Sequence, residues 1–263
     1  METAVESATQ SLMELAGQPA PMMQGAEEAS VLANLLTVDR IKVGYGQSQV
    51  IPGLSFHAAP NEIVAIMGRN GMGKTTLFKA LIGILPTTGG GTITLQGQDL
   101  TGMEPFERVA RGLAYVPQGR MIFPRLTVED NIRAGLRSRK EEVPDELFEF
   151  FPVLKEMRGR RGGNLSGGQQ QQLAIARALA SGPKVLLLDE PTEGIQPSII
   201  KDLARILKMI RDRRGLTIVV SEQVLSFALE IADRVLVLER GRVTLEGRRD
   251  EVDADSVARL LSI

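Results

Sequence analysis

One glycine-rich stretch of this sequence has the residue types and spacing that hold phosphate groups. Gly68–Thr75 follows the P-loop pattern, in which two glycines flank a four-residue loop and are followed by a lysine and a threonine. The glycines let backbone N–H groups approach an anion, Lys74 can reach β- and γ-phosphates, and the Thr75 hydroxyl can ligate Mg²⁺. We therefore predict a nucleoside triphosphate site. The residues expected to contact the phosphates are Gly68, Arg69, Asn70, Gly71, Gly73, Lys74, Thr75 and Thr76.

A pair of acids follows a short apolar run further along the chain. Val185–Leu188 has the length of a buried strand, and Asp189 and Glu190 come directly after it. A carboxylate at the carboxyl end of a parallel strand lies at the sheet edge where ligands bind. We predict that Asp189 holds Mg²⁺ through its water shell and that Glu190 acts as general base on the attacking water. Two acids in an ordinary loop are the alternative.

The second candidate anion site is Leu165–Gln169, with the sequence Leu-Ser-Gly-Gly-Gln. Ser166 is a suitable N-cap for the helix predicted to follow, and the two glycines expose backbone N–H groups there. Ser166, Gly168 and Gln169 are therefore predicted to contact a nucleotide. A plain capped helix is the alternative.

Hydrophobic periodicity predicts the elements that position these residues. Strands alternate with helices, which predicts a parallel sheet covered on both faces. The predicted strands are Leu36–Val43, Val50–Phe56, Ile63–Met67, Thr92–Leu95, Gly112–Val116, Val185–Leu188, Thr217–Val220, Arg234–Leu238 and Arg242–Leu245. The predicted helices are Lys74–Ile84, Thr127–Leu136, Asp145–Phe151, Ser166–Ala180, Ser198–Arg211, Glu222–Ala232 and Asp253–Leu261.

The same patterns divide the chain into segments. Residues 1–34 lack a steady period and are predicted to form a disordered or loosely helical extension, whereas residues 35–263 are predicted to form one domain. Residues 118–180 have helical but no strand character, which predicts a helical subdomain inserted into the core.

Composition excludes several classes of protein. The chain of 263 residues has a formal net charge of −1, so no general attraction to nucleic acid or anionic lipid follows. It contains no cysteine and a single histidine, His57, which argues against thiolate chemistry, a histidine metal cluster and a serine–histidine–aspartate triad. The longest apolar runs are too short for a membrane span, and the N-terminal residues do not resemble a signal peptide.

Taken in order, the motifs resemble those of the ATP-binding cassette (ABC) family from about Leu35 to the end of the chain. The resemblance implies an α/β P-loop NTPase (RecA-like) sheet, with an antiparallel β layer and the helical insertion, that binds ATP and Mg²⁺. It implies that Tyr45 stacks on adenine, although an ordinary turn tyrosine is the alternative. It also implies that Gln118 touches both Mg²⁺ and the attacking water, and that Glu193–Pro197 crosses to an opposing subunit.

The resemblance also implies partners. A second, homologous or identical ATPase subunit would complete each nucleotide site with its Ser166 and Gly168. Two membrane permeases and, indirectly, a solute-binding protein would complete the transporter, without any nucleic acid. The chain would then lie at the cytoplasmic face of the plasma membrane and reach that membrane through the permeases alone.

Two positions depart from the usual family pattern. Gln196 stands where an aspartate is usual, and Gln223 stands where the switch histidine is usual. Glutamine can donate to a γ-phosphate oxygen but cannot carry a proton as imidazolium does. We therefore predict Glu190 as the base, with Gln118 and Gln223 as its catalytic companions.

These departures resemble the ATPases of branched-chain amino acid and amide importers. Within that group, four stretches are most similar to urea transporter ATP-binding subunits: residues 67–74, 115–124, 151–154 and 190–200. The expected function is therefore ATP hydrolysis coupled to urea uptake, with branched-chain amino acid uptake as the alternative. A soluble ABC ATPase acting on DNA or ribosomes is less compatible with a single cassette and no heptad run. A regulatory module without turnover is less compatible with an intact Lys74, Asp189 and Glu190.

Overall fold

The computed structural model describes residues 34–138 and 140–262. The predicted extension therefore lies, apart from Asn34, outside the described residues. Within these ranges the strands form two sheets, one antiparallel with four strands and one mainly parallel with six.

The antiparallel sheet has the strand order β2-β1-β4-β5. Buried and exposed positions alternate along much of β1, as expected for a strand with one face on the core. The alternation is interrupted at Arg40, whose φ of 45° accompanies a shift in register between Val38 and Ile41. The four strands are β1 (Leu36–Tyr45), β2 (Ser48–Ala58), β4 (Thr92–Leu95) and β5 (Gln98–Asp99).

The second sheet has the order β10-β9-β3-β8-β7-β6, and only β10 runs antiparallel to its neighbour. Every residue of β3 and β7 is buried, as expected for parallel strands covered on both faces. The strands are β3 (Ile63–Met67), β6 (Leu113–Val116), β7 (Val185–Asp189), β8 (Thr217–Glu222), β9 (Arg234–Glu239) and β10 (Arg242–Arg248).

Helices cover this sheet. Among the described residues, no helix has both the length and the apolar character that a bilayer crossing requires. The helices are α1 (Lys74–Ile82), α2 (Pro105–Arg111), α3 (Val128–Arg133), α4 (Asp145–Phe150), α5 (Pro152–Glu156), α6 (Gly167–Ala180), α7 (Pro197–Arg214), α8 (Leu225–Ile231) and α9 (Ala254–Ser262).

The predicted parallel sheet and antiparallel layer are both present, but three elements were not predicted. Strand β5 has only two residues, and α2 and α5 each begin with a proline after an unusual N-cap, Glu104 and Phe151 respectively. The predicted start of a helix at Glu222 is wrong, because Glu222 ends β8 and the helix begins at Leu225.

Between residues 118 and 180 the described chain forms helices α3 to α6 and a short 3₁₀ turn, Gly162–Asn164, with no strand. The helical character predicted for this stretch is therefore present. That these helices act as a separate subdomain stays a prediction.

A buried arginine fixes the far end of the helix that follows the P-loop. Arg108 is only 2% exposed. Its Nη1 donates to the carbonyl oxygens of Ala80 and Leu81 in the last turn of α1, both at 2.8 Å. Its Nη2 donates to Thr101 O at 2.8 Å, and its Nε donates to Met103 O at 3.0 Å. The guanidinium therefore adds a charged donor at Leu81 O and a second donor at Ala80 O, which also accepts from the C-cap N–H of Gly83 at 3.1 Å.

Replacing Arg108 with methionine should lower the free energy of unfolding by roughly 2–4 kcal/mol, because buried carbonyls lose their charged donor. Urea-induced unfolding followed by circular dichroism measures this loss. Arg111→Met is the matched control, since Arg111 is an exposed residue of the same helix. Equal effects of the two substitutions would contradict a capping role for Arg108.

Candidate nucleotide-binding site

The P-loop joins the carboxyl end of β3 to the first turn of α1. Gly71 and Gly73 have φ values of 80° and 102°, a region that favours glycine. Gly73 is the N-cap of α1, so the free N–H groups and the positive end of that helix face the loop. The loop therefore has the shape and electrostatics of an anion site.

Lys74 lies inside this loop and is 3% exposed. Its Nζ donates to the carbonyl oxygens of Gly68 at 2.6 Å and Arg69 at 3.0 Å. The same Nζ forms an ion pair with Glu190 Oε1 at 3.0 Å. The predicted phosphate-binding cation and the predicted base therefore meet directly, although they are far apart in the sequence.

Asp189 accepts hydrogen bonds from three hydroxyl groups. Ser221 Oγ donates to Oδ1 at 2.6 Å, Thr75 Oγ1 donates to Oδ1 at 3.3 Å, and Tyr115 OH donates to Oδ2 at 3.2 Å. Burial raises the pKa of the Asp189 carboxyl, and the hydrogen bond from Ser221 opposes that rise. Burial, followed by the charge of Asp189, raises the pKa of the Tyr115 hydroxyl well above its usual value, so that hydroxyl remains a donor.

The meeting of Thr75 with Asp189 suits a hard cation. A hydroxyl and a carboxylate supply few protein ligands, which fits Mg²⁺ because this ion keeps several waters and binds phosphate oxygens. Within the described residues no group of three or more His, Cys, Asp or Glu side chains could hold a metal by itself. Thr75 and Asp189 are thus the two residues here whose oxygen atoms would suit Mg²⁺.

Hydrogen bonds and the ion pair with Lys74 fix both the backbone N–H and the two carboxylate oxygens of Glu190. Its backbone, with a φ of 48°, lies in the left-handed region, and its N–H donates to Ser221 Oγ and to Ser221 O, both at 3.1 Å. Oε2 accepts from Gln223 Nε2 at 2.9 Å and from Gln118 Nε2 at 3.4 Å. The structure therefore brings together the three residues that the sequence analysis names as catalytic.

A cavity of about 290 Å³ opens over this cluster. Most of its lining belongs to the P-loop and the start of α1, and Gln118 and Glu190 also line it. Its lining residues are Val50, Asn70, Gly71, Gly73, Lys74, Thr75, Thr76, Gln118 and Glu190. The predicted phosphate-binding residues Gly68 and Arg69 are not among the lining residues, and their carbonyl oxygens accept from Lys74 Nζ.

Tyr45 lies at the end of β1, paired with Ser48, and is 48% exposed. It is absent from the cavity lining among the described residues. An exposed aromatic ring is available for stacking, but its contact with adenine stays a prediction.

The second glycine motif also lies outside this cavity. Ser166 is the N-cap of α6: its Oγ accepts from Gln169 N at 3.3 Å, and its own N–H donates to Gln169 Oε1 at 2.9 Å. This capping box stabilises the helix start, and none of its residues lines the described cavity. Any contact that Ser166, Gly168 and Gln169 make with a nucleotide would therefore involve a different site from the one above Lys74.

Sequence reasoning missed three contributors to this site: Val50, Tyr115 and Ser221. Ser221 pairs with Asp189 across the adjacent strands β7 and β8, so the rule that places ligands at carboxyl ends of parallel strands could have found it. Tyr115 lies one residue before the end of β6, at the same edge. No local signal marks Val50.

The site defines a P-loop nucleotide-binding protein. The profile of the ABC transporter family matches residues 51–193. The branched-chain amino acid transport ATP-binding protein BraG of Pseudomonas aeruginosa is 41% identical over 215 residues, covering 80% of this chain and 91% of BraG. The lipopolysaccharide export ATP-binding protein LptB of Haemophilus influenzae is 34% identical over 229 residues, covering 84% and 94%. This chain therefore belongs to the ABC transporter family, as an ATP-binding subunit that hydrolyses ATP.

Solved structures agree with this assignment. CbiO1 of Clostridium perfringens, part of an ABC transporter complex, has a TM-score of 0.75 at 26% identity and covers 86% of this chain and 93% of its own. The ATP-binding cassette MJ1267 has a TM-score of 0.73 at 26% identity, with 87% and 95% covered. The predicted fold, family and ATPase activity are confirmed.

Proposed function

We propose that this chain is the ATPase subunit of an importer for branched-chain amino acids or a closely related small solute. The likeness to BraG supports this assignment, because it exceeds the likeness to the export protein LptB. The glutamines at positions 196 and 223, both unusual for the family, resemble the same importer group.

Urea is the second candidate solute. The observation that favours it is the similarity of residues 67–74, 115–124, 151–154 and 190–200 to urea transporter ATPases. These stretches belong to an ATPase subunit that does not meet the solute in the proposed transporter, so their chemistry does not encode either choice. The two solutes therefore have to be separated by a transport measurement.

The proposed mechanism rests on one observation, the ion pair of 3.0 Å between Lys74 Nζ and Glu190 Oε1. ATP enters the cavity, and its phosphates take the place of Glu190 as partner of Lys74. Glu190 accepts a proton from water as the water oxygen bonds to the γ-phosphorus and the bond to the bridging oxygen breaks. Gln118 and Gln223 orient Glu190 and that water. When bound, Mg²⁺ held by Thr75, Asp189 and Gln118 neutralises phosphate charge.

Each nucleotide site is proposed to need two subunits. Ser166, Gly168 and Gln169 lie apart from their own cavity, so they are available to complete the cavity of a second ATPase subunit, identical or homologous. Glu193–Pro197 would cross to that subunit. ATP between the two faces then stabilises the pair by mass action.

A surface groove of about 410 Å³ is the proposed contact for a membrane permease. Two exposed apolar side chains, Met121 (68% exposed) and Phe123 (47% exposed), line it. Arg177 lies 5.1 Å from the centre of the Phe123 ring, and its Nη2 donates to Met121 O at 2.8 Å. Arg120, in the same loop, donates through Nη2 to Glu193 O at 2.8 Å. The groove is thus joined to the crossing stretch, and the chain would reach the cytoplasmic face of the membrane through the permeases.

Transport in proteoliposomes tests this proposal. The chain is co-purified with its permeases, reconstituted and supplied with the solute-binding protein. The proteoliposomes should transport labelled leucine or labelled urea only when ATP is present on the side of the membrane that carries the ATPase subunit. The saturating solute should also stimulate ATP hydrolysis. Lys74→Ala in the same complex is the control and should abolish uptake. Stimulation by leucine alone, or by urea alone, identifies the solute, and stimulation by neither would contradict the proposal.

A further inference from the structure

Glu222 is a buried acid that neither the sequence motifs nor the mechanism above uses. It ends β8, beside the strand that ends in Asp189, and is only 1% exposed. A carboxylate removed from water in this way needs donors on its oxygens, and nearby cations are the usual means of stabilising it. Within the described residues no lysine or arginine forms an ion pair with it.

Four hydrogen-bond donors, instead of a cation, contact the Glu222 carboxylate. Oε1 accepts from Thr192 Oγ1 at 2.6 Å and from Thr192 N at 3.1 Å. Oε2 accepts from Gln223 N at 2.9 Å and from Val224 N at 3.1 Å. Both oxygens act only as acceptors, which is the arrangement of an ionised carboxylate. Burial raises the pKa of the Glu222 carboxyl, and the hydrogen bond from Thr192 is foremost among those opposing that rise.

The two donor pairs belong to two different loops. Thr192 lies in the loop after β7, directly before the crossing stretch Glu193–Pro197. Gln223 lies in the loop after β8, and its side chain donates to the base, Glu190, at 2.9 Å. One carboxylate therefore fixes the position of the crossing stretch relative to the side chain that orients the base.

We propose that Glu222 is a positioning residue for ATP hydrolysis, which ties Thr192 to Gln223 and so links the crossing stretch to Glu190. This inference rests on the proposed two-subunit site. When the crossing stretch contacts the second subunit and Thr192 moves, the Glu222 side chain transmits that movement to Gln223. Glu222 itself does not touch the reacting atoms.

Glu222→Gln separates this role from simple packing. Glutamine has nearly the same volume, so a residue that only fills space would tolerate the change. Its amide nitrogen, however, must face one of the two donor pairs, which places N–H against N–H or O–H. The substitution should release either Thr192 or the loop that holds Gln223.

The expected result is a fall in kcat of roughly 10- to 100-fold, because misplacement of an orienting group affects the chemical step. The KM for ATP should stay within about twofold of wild type, since the P-loop contacts are unchanged. Phosphate release at varied ATP concentration measures both. A kcat within about twofold of wild type, or an equal effect on KM and kcat, would overturn the proposal.

Thr192 supplies the matched pair of variants. Thr192→Val keeps the shape but removes the hydroxyl donor and should lower kcat, whereas Thr192→Ser keeps that donor and should retain most activity. The double variant Thr192→Val with Glu222→Gln should be no slower than Glu222→Gln alone, because both changes break one link. Should Glu222→Gln fail to fold, the valine and serine variants decide the matter: equal activity of the two overturns the proposal.

The outcome is distinguishable from failure of the proposed function. These assays compare kcat between variants of the whole chain, and they do not depend on which solute is carried. If the wild-type chain hydrolyses ATP as a strict monomer, the two-subunit site fails. A loss of kcat in Glu222→Gln would then still show that Glu222 positions Glu190 within one chain, without any role for a second subunit.

Discussion

Glu190→Gln is expected to reduce ATP turnover roughly 10²-fold or more while ATP binding is retained. The amide cannot accept the proton of the attacking water, but it preserves the shape of the cavity wall. The substitution also removes the ion pair with Lys74, which ATP otherwise has to displace. ATP affinity should therefore be at least equal to that of wild type. Phosphate release and binding of a fluorescent ATP analogue measure the two quantities.

Glu230→Gln is the control for this experiment, since Glu230 is an exposed acid of α8 far from any assigned role. The Glu190→Gln variant should also accumulate as an ATP-bound dimer, visible by light scattering, because bound ATP is no longer consumed. Near-normal hydrolysis by the variant would exclude Glu190 as the base.

Lys74→Ala should weaken both ATP binding and turnover. Loss of a charged donor to phosphate costs affinity, roughly 10- to 100-fold for one charge-assisted hydrogen bond. Here a further effect adds to this cost, because the Glu190 carboxylate is left buried without its cation and repels the phosphates. Isothermal titration with ATP measures the affinity. Lys79→Ala, in the last turn of the same helix, is the matched control.

The double variant Lys74→Ala with Glu190→Gln tests that further effect. If an unpaired carboxylate contributes to the loss, removing its charge should restore part of the ATP affinity without restoring turnover. Unaltered ATP binding by Lys74→Ala alone would contradict the assigned role of the lysine.

The local parts of the site could be predicted from sequence because each is a contiguous motif. The P-loop needs a strand before it and a helix after it, and β3 and α1 begin at the predicted residues. The contact between Thr75 and Asp189 followed from a general rule, that parallel strands present their carboxyl ends at one edge.

The long-range parts could not be predicted in the same way. Glu222 follows the apolar part of β8, and its charge favoured the start of a helix over a buried strand end. Its burial depends on Thr192, which is 30 residues away and carries no signal of its own. The solute could not be predicted from the sequence motifs either. ATP-binding subunits for branched-chain amino acids and for urea use the same nucleotide chemistry, so their motifs do not distinguish the two solutes.

The contacts of Arg120 have a consequence for how such a subunit can diverge. Its guanidinium holds main-chain oxygens, those of Glu193 and Gly194, and Arg177 likewise holds the main-chain oxygen of Met121. Because no side chain accepts these bonds, the side chains at 121 and 193 can change to suit a new permease or a non-identical sister subunit while the two arginines keep their acceptors. Gly194, with a φ of 64°, is restricted by its own backbone and cannot change as freely.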